Sequence, residues 1–314
     1  MTEAGVPELI KSQGPLPAAV LAERLGLNSA ALRRTMRALS VYEVFVEDPD
    51  EVYGLTDLGR SLCQAAPGTA QASALLVGRE IGDAWTQYGH TLRTGEPAFE
   101  LVHGAGFFEY AAAEPCLEMN FQRSQAAGLE LDIAGILRCL PSGSRTVVDV
   151  GGGDGVLLEH ILRRDHSAHG VLLETSGIAA RARGRMMAAG LSSRCTIVCG
   201  DFMRAVPEGG DLYLLRQVLH DWDDARSRKI LANCRSAMAP GASLVIIDIV
   251  RSEQRGAAKD SRMAAVMDLY MLTIFGGQER TADEFCGLLE ETGFCQKAID
   301  TVNGHMSLIQ ATAS

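Results

Sequence analysis

Val147-Val148-Asp149-Val150-Gly151-Gly152-Gly153-Asp154-Gly155 is the stretch whose reading decides the fold. A short apolar run, residues 146–150, passes directly into a glycine cluster, and residues 157–164 continue with helical spacing of apolar side chains. Glycine is required where a backbone turns sharply and must approach a ligand with no Cβ in the way. The helix beyond such a loop offers unpaired N–H groups to an anionic group. After Gly155, about 20 residues on, a second apolar run over 170–173 ends at Glu174, a carboxylate placed at a strand tip to accept both hydroxyls of a ribose. Loops of this kind serve several ligands, so by itself the pattern points to a nucleoside site and no further.

Working outward, strand-like runs recur at 195–199, 212–215 and 243–250, with helix-compatible segments over 178–189 and 225–238. Strands alternating with helices predict an α/β fold, a Rossmann-like, mostly parallel, doubly wound sheet covered on both faces. A final helix is expected from Thr281, because Thr281-Ala282-Asp283-Glu284 spells a capping box. Upstream the character differs. Residues 16–25 and 30–39 have helical periodicity and are separated by Gly26-Leu27-Asn28-Ser29, a C-terminal glycine followed by N-cap residues. Two short strand-like runs, 43–47 and 52–55, then flank an acidic Asp-Pro-Asp turn, which completes a winged-helix pattern. More helical sequence extends from Asp57 to about Leu140 and includes a Gly-Ala-Gly-Phe-Phe stretch. The change at Pro141-Ser142-Gly143 predicts a helical winged-helix region over 1–140 and the α/β domain over 141–314.

Charge and composition narrow the partners. The chain carries a net charge of −10, which sets its long-range field against nucleic acid. Arg33, Arg34 and Arg37 lie on the would-be recognition helix, but Glu47, Asp48, Asp50 and Glu51 on the wing repel phosphate, so no nucleic acid is expected. No apolar run approaches the ~20 residues that span a bilayer, and the first residues lack the basic start and apolar core of a secretory signal. The eight cysteines form no CxxC pair, and Cys195 and Cys199, flanking Thr-Ile-Val, are expected to be buried thiols. Neither a disulfide framework nor a metal site is expected, and a reducing cytoplasm fits best.

Within the α/β region three further stretches carry chemistry. The glycine spacing Gly151-x-Gly153-x-Gly155, preceded by Asp149, departs from the dinucleotide GxGxxG fingerprint and favours a methyl donor over a nicotinamide cofactor. The run ending at Cys199-Gly200-Asp201-Phe202-Met203 puts a carboxylate and two apolar side chains where an adenine ring can be sandwiched. The strand over 212–215 leaves Arg216, His220 and Asp221 beyond its C-terminal end, the edge at which open parallel sheets bind ligands. A histidine in that position, judged by periodicity alone, is more often a surface or core residue. Met267, Asp268 and Met271 recur at helical spacing, for which core packing is the default.

Four motifs change those odds together: Asp149 to Gly155, Gly200-Asp201-Phe202-Met203, Leu219-His220-Asp221-Trp222-Asp223-Asp224, and Gly276-Gly277-Gln278-Glu279-Arg280-Thr281. In this order and spacing the chain resembles, over nearly its whole length, the caffeate- and hydroxyindole-type S-adenosylmethionine-dependent O-methyltransferases and their bacterial relatives that tailor aromatic natural products. The resemblance implies methyl transfer from S-adenosylmethionine, leaving S-adenosylhomocysteine, to a hydroxyl of a small aromatic acceptor. It implies His220 as general base with Glu279 beside it and Asp221 in the same motif. It assigns Asp149, Gly151, Gly153, Glu174, Asp201, Phe202 and Arg216 to the cofactor, and Phe121, Gln125, Met267 and Met271 to the acceptor wall. It also implies a homodimer formed through the N-terminal domain, with a leading helix shortened around residues 6–11. Arg216 stands where the family usually has lysine, and Glu174 where it has aspartate. Gln125 replaces a methionine, which implies a more polar wall. Gln310 falls where many members place a glutamate that flanks the histidine. The same cofactor fold also serves N-methyltransferases and non-methylating decarboxylases, hydroxylases and pericyclases. Some of those lack the motif's histidine, and a nitrogen nucleophile with a free lone pair needs no base, so His220 and Glu279 favour an oxygen acceptor.

Overall fold

The structure, a computed structural model, describes residues 1–313 apart from 65, 67, 253–258 and 305. It forms two compact units, Met1–Gly82 with Glu114–Leu131, and Asp83–Ala113 with Asp132–Ser314.

The first unit is a winged helix. Helix Val6–Gln13 precedes a two-residue strand β1 (Leu16–Pro17), helices Ala18–Leu25 and Ser29–Val41, and strands β2 (Phe45–Glu47) and β3 (Val52–Leu55). The leading helix therefore reaches past the expected 6–11. Leu16 and Pro17, expected at the start of a helix, instead pair with Tyr53 and Val52 of β3. Proline steers the residue before it into extended backbone, so the helix begins only after Pro17. The Asn28 side chain accepts a hydrogen bond from Ala31 N at 3.0 Å and caps the next helix. Val6, Leu21, Met36, Phe45 and Tyr53 fill the core. On the surface, Glu51 lies 3.4 Å from Arg33 and 3.1 Å from Arg37, which also lies 3.5 Å from Glu47. The wing thus engages two of the three helix arginines that a phosphate backbone would need.

The second unit is built on a seven-stranded sheet of β4 (Thr146–Val150), β5 (His169–Glu174), β6 (Cys195–Cys199), β7 (Leu212–Arg216), β8 (Ser243–Ile249), β9 (Phe294–Thr301) and β10 (Met306–Ala313). Their order is β6-β5-β4-β7-β8-β10-β9. Every pair from β6 to β8 is parallel, while β10 runs antiparallel to both neighbours. The central strands read as continuous apolar runs because helices cover both faces; Val148, Leu172, Leu214 and Ile246 are wholly buried. At the edge, β6 is only partly covered, so Cys195 is half-buried and Cys199 exposed. That corrects the expectation of two buried thiols. The last two strands were not anticipated from the sequence beyond the Thr281 helix. β9 is a polar edge strand, and β10 takes its place only by inserting between two partners distant in the chain.

The chain lays down β4, β5 and β6 in one direction and then returns to place β7 on the other side of β4. The crevice outside the C-terminal ends of β4 and β7 is therefore the switch point where such sheets bind ligands. The glycine loop leaves β4 there, and the His220 segment leaves β7. Among the described residues no helix is long and apolar enough to cross a membrane.

Candidate active site

The glycine loop is shaped by its neighbours. Gly151, at φ +69°, donates its N–H to Leu173 O at 3.0 Å. A Cβ there would stand 3.1 Å from Val218 Cγ2 and 3.3 Å from Phe202 Cε1, so the turns after β4, β6 and β7 converge on this residue. Gly153 N donates to Glu174 Oε1 at 3.2 Å, which brings the β5 carboxylate across the loop. Asp149 is buried, and neither of its carboxylate oxygens has a hydrogen-bond partner among the described residues. Burial pushes this carboxyl up to about 7 although Arg216 opposes the shift. Arg216 Nε and Trp222 Nε1 are likewise buried without partners among the described residues. Buried polar groups left in this state cost free energy unless a ligand pairs them. Asp201 Oδ1 accepts from Met203 N at 2.8 Å, which holds the turn that presents Phe202.

His220 lies in a single 3₁₀ turn, Leu219–Asp221, immediately beyond β7. The ring is 2% exposed. Its Nδ1 is 3.0 Å from Glu279 Oε1 and 3.3 Å from Asp248 Oδ1, and its Nε2 is 3.5 Å from Asp221 Oδ1. No hydrogen bond reaches Nε2 among the described residues. Burial alone would depress the imidazole, but Asp248, Asp221 and Glu279 together raise it to about 10. Burial in turn pushes Asp221 up to about 7 and Asp248 up to about 6, against the pull of the same imidazole.

Asp248 was not singled out in the sequence. A signal existed, since an acid inside Leu244-Val245-Ile246-Ile247-Asp248-Ile249 sits in a buried strand, where a carboxylate needs a partner. Gln310 corrects the opposite expectation. Its amide donates to Asp300 Oδ2 at 3.0 Å and Cys139 O at 3.5 Å, and His220 is not among its partners. The second acid on the imidazole comes from β8, not from β10.

The Gly276–Thr281 stretch docks directly on the His220 turn. Gln278 N donates to His220 O at 2.9 Å, and a Cβ at Gly277 would collide with that same carbonyl. Glu279 N donates to Asp268 Oδ1 at 2.9 Å, so the Met267-Asp268-Met271 stripe contributes a polar support as well as the buried Met271 and half-buried Met267. The capping box of the last helix is present, with Thr281 and Glu284 bonded reciprocally. Beside the turn, Phe108 stacks on Trp222 with centroids 5.5 Å apart, and Phe275 lies 5.4 Å from Phe108. The sequence showed the Gly-Ala-Gly-Phe-Phe stretch but gave no reason to join it to Trp222. Phe121 and Gln125 lie half-buried on helix Pro115–Cys139, in the part that belongs to the first unit.

Comparison with known proteins gives this geometry its family. The O-methyltransferase domain matches residues 85–295. The chain belongs to the O-methyltransferase family. Its residues 1–65 match the O-methyltransferase dimerisation domain. The O-methyltransferase SfmM3 of Streptomyces lavendulae is 38% identical, over 99% of this chain and 94% of that protein. Among solved structures, that of LaPhzM superposes with a TM-score of 0.93 at 34% identity, covering 100% of this chain and 93% of the other. An O-methyltransferase from neocarzinostatin biosynthesis, NcsB1, solved with S-adenosyl-L-homocysteine and 1,4-dihydroxy-2-naphthoic acid, is 32% identical with a TM-score of 0.86, over 100% and 94% of the two chains. The Rossmann-like sheet with an N-terminal winged helix is thus the family's architecture.

Proposed function

We propose that this O-methyltransferase moves a methyl group from S-adenosylmethionine to a hydroxyl of a small aromatic natural product or its precursor, with His220 as general base and Glu279 orienting the ring. The observation that carries the reading is a buried imidazole whose Nδ1 is held by Glu279 while Nε2, 3.5 Å from Asp221, accepts no hydrogen bond among the described residues.

The donor fits the residues present. Asp149 offers a buried carboxylate with no donor among the described residues, suited to a cationic amino group, beside the Gly151 and Gly153 backbone. Glu174 is proposed to take the ribose hydroxyls, Asp201 and Phe202 the adenine, and Arg216 a further contact with the cofactor. S-adenosylmethionine, when bound, supplies a methyl group already activated on a positively charged sulfur, so the protein need only align an acceptor and remove one proton. Alignment is worth up to ~7–11 kcal/mol in favourable cases.

The imidazole does the rest. With Nδ1–H donated to Glu279, the ring is held in the tautomer that leaves Nε2 as the acceptor, and the carboxylates stabilise the imidazolium once formed. A phenol titrates near ~10 by analogy with tyrosine, and the carboxylates raise His220 to about 10, so a ring that has lost its own proton takes up the phenol's at little free-energy cost. Phe108, Phe275 and Trp222 offer aromatic faces to a flat acceptor, and Met267 and Met271 are proposed as further wall residues. A homodimer through the N-terminal domain is part of the same proposal, supported by the match of residues 1–65 to the dimerisation domain.

The test is to incubate the chain with S-adenosylmethionine and a panel of phenols, hydroxynaphthoates and hydroxyphenazines, and to locate any added methyl by mass spectrometry and NMR. Methylation of oxygen supports the reading. Products methylated only on nitrogen, or oxidised without methylation, overturn it.

A further inference from the structure

Arg280 is one of the largest wholly buried side chains of the protein, at 1% exposure, and its guanidinium is spent on the segment that carries His220. Nη1 donates to Leu219 O at 2.8 Å and Nη2 to Trp222 O at 2.9 Å. Nε and Nη2 donate to Asp224 Oδ1 at 3.1 Å and 2.8 Å, and the same oxygen accepts from Gln278 Nε2 at 2.8 Å. The two carbonyls bracket His220 and Asp221. A single 3₁₀ turn supplies little of its own bonding: Asp221 N reaches Val218 O at 3.3 Å and Trp222 N reaches Leu219 O at 3.2 Å. Buried carbonyls in so short a turn must be paired from outside. The backbone of Arg280 also accepts from Arg251 N at 2.8 Å and bridges to Val250, just beyond the strand that holds Asp248.

We propose that Arg280 is a positioning residue for the transfer reaction, its planar fork clamping the His220 turn so that the imidazole is held against Glu279 and Asp248. The role rests on His220 being the base. Lysine cannot replace it, because one ammonium cannot reach two carbonyls and a carboxylate with the geometry of a rigid fork. Arg280 touches no reacting atom; it acts through the backbone on either side of His220. Its positive charge also favours the ionised form of Asp248. A reacting group displaced by about 1 Å can lose on the order of 100-fold in rate.

The experiment uses the full chain carrying Arg280→Lys. Ring ¹⁵N shifts of His220, assigned by their loss in His220→Asn, are followed with pH. Binding of S-adenosylhomocysteine is measured by calorimetry, and turnover is measured with an acceptor from the panel. In Arg280→Lys the ring is expected to lose its proton about one pH unit or more below the wild-type midpoint as it slips from its carboxylates. Turnover should fall about 100-fold, with S-adenosylhomocysteine affinity kept within about threefold. A ring that titrates as in the wild type, or a cofactor affinity that falls as far as turnover, overturns the inference. Should Arg280→Lys not fold, Asp224→Asn removes the half-exposed end of the clamp and is expected to shift the ring in the same direction by less; an unshifted ring again overturns it. If His220→Asn keeps wild-type turnover, the assignment of the base fails on its own, while the ring titration still decides whether Arg280 holds the turn.

Discussion

Replacing His220 with asparagine removes the proton acceptor while keeping a side-chain amide that can still face Glu279. General-base catalysis contributes typically ~10²–10⁴-fold, and at about 1.36 kcal/mol per factor of ten this is ~2.7–5.4 kcal/mol of barrier. The substitution also takes the imidazole away from three carboxylates within 3.5 Å of it. Breaking a buried ion pair costs ~3–5 kcal/mol when the orphaned charge must stay. Here the cost is smaller near neutrality, because Asp221 and Asp248, already pushed up to about 7 and about 6, can take up protons instead. In the turnover assay, release of S-adenosylhomocysteine should fall by ~10²–10⁴-fold while its calorimetric affinity stays within a few-fold. A loss of less than about tenfold, or equal losses of turnover and affinity, would refute His220 as the base.

Two further outcomes follow from the same geometry. Because His220 accepts a proton only when neutral and its carboxylates hold it charged toward about 10, kcat/KM should climb with pH across the alkaline range, and a flat profile from pH 6 to 9 would count against the mechanism. The Gly151→Ala variant puts a side chain at φ +69° within 3.3 Å of Phe202 and Val218. The left-handed backbone alone costs ~1–2 kcal/mol, so affinity for S-adenosylhomocysteine should fall about tenfold or more. Wild-type affinity by calorimetry would show that the loop does not hold the cofactor.

Much of the fold was legible because its signals are local. Strand Thr146–Val150 and the capping box at Thr281 stand where the sequence predicted them, since glycine at a tight turn and a Thr–Glu pair at a helix start act within a few residues of themselves. The wing was legible for the same reason. What proved illegible was long-range. Leu16 has helical periodicity in the sequence, and its pairing partner, Tyr53, is visible only in the folded sheet. Strand β10 exists because two distant strands accept it between them, and a polar edge strand such as β9 has little periodicity of its own.

The sequence by itself determined that a glycine loop follows a buried strand, that a carboxylate ends the next, and that His220 lies beyond a strand end. These are statements about neighbours along the chain. Only the tertiary structure decided which acids meet the imidazole, drawing Asp248 from β8 and Glu279 from a later loop while turning Gln310 toward Asp300. The physical reason is that a buried histidine takes its charge state from groups within a few ångströms in space, and sheet register, not sequence distance, chooses those groups.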